Sequence, residues 1–147
     1  MKTTLYFAYG SNLDTARMRR RCPRARPVRR ASLHGYRLAF GGHSQTWGGA
    51  VATLVLDQDG RVDGLLYELP ESDLLVLDRY EGHPFAYRRR LLPVTDETGR
   101  RRRAHAYVLP VDGEASPAPE YLGVIRRAYI RLGFDNQGLA RAVGGVR

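Results

Sequence analysis

The sequence predicts an α+β fold in which antiparallel hairpins are interrupted by helices. Two pairs of β-rich stretches each flank a compact turn signal, Asp57-Gln58-Asp59-Gly60 and Asp96-Glu97-Thr98-Gly99. Between them, Pro70-Glu71-Ser72-Asp73 opens a helix that Gly82 is suited to close. Helices and strands do not alternate in the regular order that builds a doubly wound parallel sheet.

The elements follow in chain order. Leu5 to Tyr9 is a short apolar and aromatic run ending at Gly10, and it reads as a largely buried strand. Asn12 or Asp14 caps a helix to about Arg21, beyond which Pro23 and Pro27 block a smooth continuation. Two β-rich stretches follow, Val28 to Leu33 and Tyr36 to Phe40. The first hairpin joins Ala50 to Leu56 with Arg61 to Leu69, and the second joins Tyr87 to Val94 with Arg101 to Leu109. Pro110 to Pro119 is a loop, because its three prolines remove backbone donors. From Glu120 onward, Tyr121, Val124, Ile125, Ala128 and Leu132 recur at helical spacing and leave Arg126, Arg127 and Arg131 outward. A further short helix is expected after Asp135.

At 147 residues the chain suits one domain, since single cores typically serve roughly 100 to 200 residues. Its hydrophobic share of 43% and charged share of 27% are globular values and argue against a disordered chain. No run approaches the roughly 18 apolar residues of a membrane span, and no signal-peptide pattern follows Met1-Lys2, so the expected location is the cytoplasm. The lone Cys22 cannot form an internal disulfide and is not expected to be catalytic. The net charge of +9 raises the question of nucleic acid, yet 23 of the 24 basic residues are arginine. So general an excess is read as coding bias rather than a recognition stripe, and the runs Arg17 to Arg30 and Arg100 to Arg103 as solvated faces or turns.

Glu81 is the sharpest positional anomaly. Leu74 and Leu77 precede it by seven and four residues, so all three share one helix face and a carboxylate is directed toward the core. Desolvation and the negative end of the helix dipole both disfavour its charged form, so its pKa should be raised, as a general base near neutral pH requires. The bland alternative is a helix-end carboxylate that turns out to water or pairs with Arg79 or Arg88. The Tyr9-Gly10-Ser11-Asn12 turn has a similar double reading: an ordinary strand-to-helix turn, or a backbone cradle for a carboxylate or oxyanion. His34, His43, His83 and His105 lack metal-ligand spacing, so no metal site is expected, although His83 is near enough in sequence to tune Glu81. No phosphate-binding or dinucleotide-binding fingerprint is present.

Leu5-Tyr6-Phe7-Ala8-Tyr9-Gly10-Ser11-Asn12-Leu13, taken with Leu77-Asp78-Arg79-Tyr80-Glu81-Gly82, resembles the γ-glutamyl cyclotransferase family. Ser44 to Thr53 is similar to the family's segment entering a strand, and Pro119-Glu120-Tyr121 to the start of its late helix. The resemblance implies a small mixed, mostly antiparallel β-barrel with peripheral helices. It matches Glu81 to the catalytic acid/base. Tyr6, Phe7, Ala8, Tyr9, Gly10 and Ser11 match the segment lining the γ-glutamyl site, which Asn12 completes. Tyr107 and Tyr121 match pocket tyrosines, and Leu109 a nearby substrate-lining position. Tyr87 matches another pocket tyrosine, at a spacing from Glu81 one residue shorter than in the animal enzymes.

The reaction implied by this resemblance is intramolecular: the α-amine of a γ-glutamyl group attacks its own γ-carbonyl, giving 5-oxoproline and a free amine. Nucleophile and electrophile belong to one small molecule, so no cofactor is needed. The resemblance leaves the departing amine open among amino acids, other amines and an antibiotic intermediate, and it allows a homodimer. The other class of reading is a metabolite-binding or nucleic-acid-binding protein built on the same fold.

Overall fold

A computed structural model describes residues 1–144 of the chain. Five strands close into a barrel in the order β1-β3-β2-β4-β5. They are β1 (Thr3–Ala8), β2 (Arg26–Ser44), β3 (Gly49–Pro70), β4 (Arg88–Asp96) and β5 (Arg101–Val108). All paired neighbours run antiparallel except β1 and β5, whose parallel contact at Tyr6 and His105 closes the barrel. The helices are α1 (Thr15–Arg21), α2 (Glu71–Glu81), α3 (Pro119–Leu132) and α4 (Gln137–Gly144). Phe7, Phe40, Leu66, Tyr67, Leu77 and Ile125 are fully buried in one continuous core, so strands and helices share the same apolar interior.

Local chemistry accounts for most boundaries. Asp14 caps α1, its side chain accepting from the Ala16 N–H at 3.1 Å. Gly82 ends α2 in the left-handed conformation at φ 70°, returning amides to the Arg79 and Asp78 carbonyls. The β4–β5 hairpin forms around Asp96, whose carboxylate accepts from the Thr98 and Arg100 N–H groups at 2.9 and 3.1 Å. Pro119 opens α3 at its first turn, where a missing N–H costs nothing.

Two expectations about the sheet need correction. Val28–Leu33 and Tyr36–Phe40 are not separate strands but parts of the 19-residue β2. Ala50–Leu56 and Arg61–Leu69 do not pair as a hairpin across Asp57–Gly60: both belong to the 22-residue β3 and pair with β2. The register runs His34 with Arg61 and then Tyr36 with Leu56, so four residues of β3 bulge opposite Gly35, which takes φ 88°. The Asp59 N–H does bond the Asp57 carboxylate at 3.1 Å, so the turn chemistry is used, but in a bulge. The real β2–β3 hairpin turns at Gln45–Gly48, with Ser44 paired to Gly49.

Candidate active site

β1 delivers its last residues to the barrel mouth, and the chain then tightens into a 3-10 turn at Ser11–Leu13. Gly10 is needed there for close approach: a Cβ would stand 3.3 Å from the Ala52 Cβ and 3.4 Å from the Tyr121 hydroxyl. Asn12 is buried at the start of the turn; its side-chain amide donates to the Tyr6 hydroxyl at 3.0 Å, while its carbonyl accepts from Tyr67 at 2.7 Å. The backbone after β1 is therefore anchored from both sides.

Facing this turn is the end of α2. Leu74 and Leu77 are buried, and the Glu81 side chain on the same face is 16% exposed. Burial is the main force raising the Glu81 pKa, and it outweighs the opposing fields of Arg21 and then Arg17. The carboxylate pairs with neither Arg79 nor Arg88: its partner is Arg21 on α1, with Nη1 3.3 Å from Oε1. Arg21 also stacks over the Tyr80 ring at 4.6 Å.

Glu81 lines a small cavity of about 40 Å³ together with Tyr6, Tyr9, Gly10, Ser11, Asn12, Ala52, Tyr87, Tyr107 and Tyr121. The residues read from sequence thus converge, with four exceptions. Phe7 and Ala8 are buried in the core and do not line the cavity. Leu109 also lies outside the lining and packs where a Cβ on Gly42 would fall, 2.8 Å from its Cδ2. His83 is occupied elsewhere, its Nδ1 accepting from the Arg89 N–H at 3.0 Å.

Tyrosines brace the rest of the wall. Tyr87 donates to the Ala52 carbonyl at 2.6 Å, and the Ala52 N–H donates to the Tyr121 hydroxyl at 2.8 Å, so both backbone polar groups of one residue are held by tyrosines. Tyr9 donates to the Tyr107 carbonyl, and the Tyr107 hydroxyl donates to the buried Asp78 carboxylate at 2.6 Å. Arg89 neutralises Asp78 at the same oxygen, with Nε 3.1 Å from Oδ1. Burial raises the pKa of Tyr6, Tyr9, Tyr87, Tyr107 and Tyr121, so these phenols remain neutral donors at physiological pH.

Ala52, Asp78, Arg17 and Arg21 belong to this neighbourhood but were not singled out from sequence. The usable signal was the four-residue spacing of Arg17 and Arg21, which puts two guanidiniums on one face of α1. Cys22 is buried, and its thiol is pushed up to about 11 by burial first and by Asp73 second, so it is not a nucleophile at neutral pH. A larger concavity of about 880 Å³ lies beside α3, α4 and the β3 bulge and shares no lining residue with the tyrosine cavity. Its Arg30–Glu97 and Arg61–Asp63 pairs already satisfy one another. Its buried carboxylate, Asp96, is held below the usual carboxylate range, chiefly by its hydrogen bond from Thr98, so it stays ionised rather than poised to exchange a proton. Size therefore does not decide which concavity is the reaction site.

Comparison with known proteins agrees with this geometry. Residues 6–123 match the family model described as gamma-glutamyl cyclotransferase, AIG2-like. The human gamma-glutamylcyclotransferase is 34% identical over 126 residues, covering 82% of this chain and 67% of the human protein. A solved structure of a gamma-glutamyl cyclotransferase superposes with a TM-score of 0.88 at 28% identity, over 99% of this chain and 89% of that one. YkqA from Bacillus subtilis gives 0.82 at 27% identity over 99% of this chain and 56% of its own. With a matching family model over most of its length, a relative 34% identical across most of both chains and the same overall fold, the chain belongs to the gamma-glutamyl cyclotransferase, AIG2-like family.

Proposed function

We propose that this protein is a γ-glutamyl cyclotransferase that converts a γ-glutamyl amino acid or amine to 5-oxoproline and the free amine, with Glu81 as its acid/base. The observation that carries the reading is the lone carboxylate of the cavity lining: Glu81, mostly buried and with a raised proton affinity, opposite the Tyr9–Asn12 turn.

The γ-glutamyl group folds so that its α-amine reaches its own γ-carbonyl carbon, and the cavity's confinement favours that attack geometry. As the new C–N bond forms, Glu81 accepts the proton of the attacking amine; it returns this proton to the departing nitrogen as the old C–N bond breaks. Backbone N–H groups at the start of the Ser11–Leu13 turn and the hydroxyls of Tyr6 and Tyr121, which accept hydrogen bonds from Asn12 and Ala52 and keep their own protons to give, supply donors for the substrate carboxylate or the developing oxyanion. Useful ligand cavities usually measure roughly 300–1,000 Å³, so substrate entry has to widen this one.

The test is release of 5-oxoproline from a panel of γ-glutamyl compounds by wild type and Glu81→Gln. Loss of a general acid/base should lower kcat by about 100- to 10,000-fold. Equal turnover by the two proteins would remove Glu81 from this role.

A further inference from the structure

α1 presents two guanidiniums to the site, and only one of them has a carboxylate. Arg21 is held by Glu81. Arg17, one turn earlier, lies with its guanidinium carbon 4.9 Å from the centroid of the Trp47 ring, and Trp47 packs edge-on at 5.0 Å against the cavity residue Tyr121. Arg17 takes part in no ion pair among the described residues, and its Nε is buried there without a hydrogen-bond partner. Trp47 orients the guanidinium without offering an acceptor, so an oriented, partly desolvated guanidinium is left without a carboxylate partner among the described residues.

We infer that Arg17 selects the leaving group by binding its carboxylate, so that the preferred substrates are γ-glutamyl amino acids rather than γ-glutamyl amines. This deepens the cyclotransferase reading and rests on it. Arg17 is absent from the cavity lining and is joined to it through Trp47, which packs on Tyr121, so the part of a substrate that meets it is the part projecting out of the cavity. Charge points the same way. Arg17, Arg21 and Glu81 together carry +1, and in the substrate as it binds, before the amine is freed of its extra proton for attack, the γ-glutamyl group's ammonium and α-carboxylate cancel each other. A departing amino acid adds the one negative charge that balances the site; an uncharged amine adds none. Guanidinium and carboxylate also match in shape, which an ammonium point charge would not.

The experiment compares γ-glutamyl-alanine with γ-glutamyl-alaninamide, which differ only at that carboxylate, in wild type, Arg17→Gln and Arg17→Lys, by 5-oxoproline release. Wild type should favour the carboxylate in kcat/KM by roughly 10- to 100-fold, the range of a charge-assisted hydrogen bond, chiefly through KM. Arg17→Gln should bring the ratio near one, and Arg17→Lys should restore part of it. Any effect of Arg17 on Glu81 slows both substrates alike and cancels in the ratio. Both substrates turned over with a wild-type ratio near one, or a ratio unchanged in Arg17→Gln, overturns the assignment of Arg17 and leaves the reaction standing. No 5-oxoproline from either substrate sinks the reaction instead. Calorimetric binding of the same two compounds then decides Arg17: a carboxylate preference lost in Arg17→Gln supports it, and equal affinities overturn it.

Discussion

Arg21 and Glu81 stand 3.3 Å apart across sixty residues of sequence, and the contact joins the end of α1 to the end of α2 at the cavity. Both side chains are mostly buried, at 17% and 16% exposure, so their coupling is weakly screened. Burial raises the Glu81 proton affinity and Arg21 is the largest force opposing it. The kcat/KM for 5-oxoproline formation should therefore rise along an acidic limb as Glu81 loses its proton. Arg21→Gln should move that limb to higher pH. A pH profile of both proteins checks this, and an unmoved limb would mean that the pair does not set the base's protonation.

The same carboxylate has a stability consequence. Its folded pKa lies above the unfolded value, so the folded state holds the proton more tightly. That stabilisation is complete below the unfolded pKa and is lost as pH rises through the folded one. Wild type at about pH 8 therefore carries the cost of a mostly buried charge, which Glu81→Gln removes. Thermal unfolding should show Glu81→Gln with the higher Tm at about pH 8, and an advantage that shrinks toward about pH 4. A lower Tm for the variant at both values would contradict the sign.

Sequence legibility followed the range of the interactions. The cap at Gly82, the Asp96 turn and the apolar face of α3 were readable because each depends on neighbours within a few residues. The same locality misled at Asp57–Gly60, where strong turn residues were read as a hairpin although pairing with β2 carries the chain straight through. A bulge is set by the partner strand, which propensity does not see. In the site, Glu81 was visible as a break in an apolar face, and the tyrosines through family resemblance. Arg17 and Arg21 were hidden inside a basic run read as a solvated face, because their partners Trp47 and Glu81 come from distant segments.

Gly60 tests the account of that bulge. A Cβ there would stand 2.2 Å from the Tyr36 carbonyl oxygen and 2.5 Å from its carbon, both backbone atoms that no rotamer change can clear. Gly60→Ala should cost at least about 2 kcal/mol, since β2 and β3 would have to part. Gly113→Ala is the control, because nothing lies within 4 Å of its Cβ position, and it should stay within about 0.5 kcal/mol of wild type. Denaturant unfolding of both measures the difference. Equal stability of the two variants would place the close approach elsewhere.

Thr53 is fully buried on β3 and bridges to the segment that follows β5. Its hydroxyl donates to the Leu109 carbonyl at 2.7 Å and accepts from the Leu109 N–H at 2.9 Å, so one side chain satisfies both backbone groups. Valine has nearly the same shape but no hydroxyl, and would leave a partly buried donor and acceptor unpaired. Thr53→Val should destabilise the protein by about 1–3 kcal/mol in denaturant unfolding. Thr53→Ser keeps the hydroxyl and should recover the larger part of the loss. Because Thr53 adjoins Ala52, and Leu109 lies two residues from Tyr107, Thr53→Val should also raise KM for a γ-glutamyl substrate more than Thr53→Ser does. Equal losses in Val and Ser would assign the site to packing of the methyl group instead.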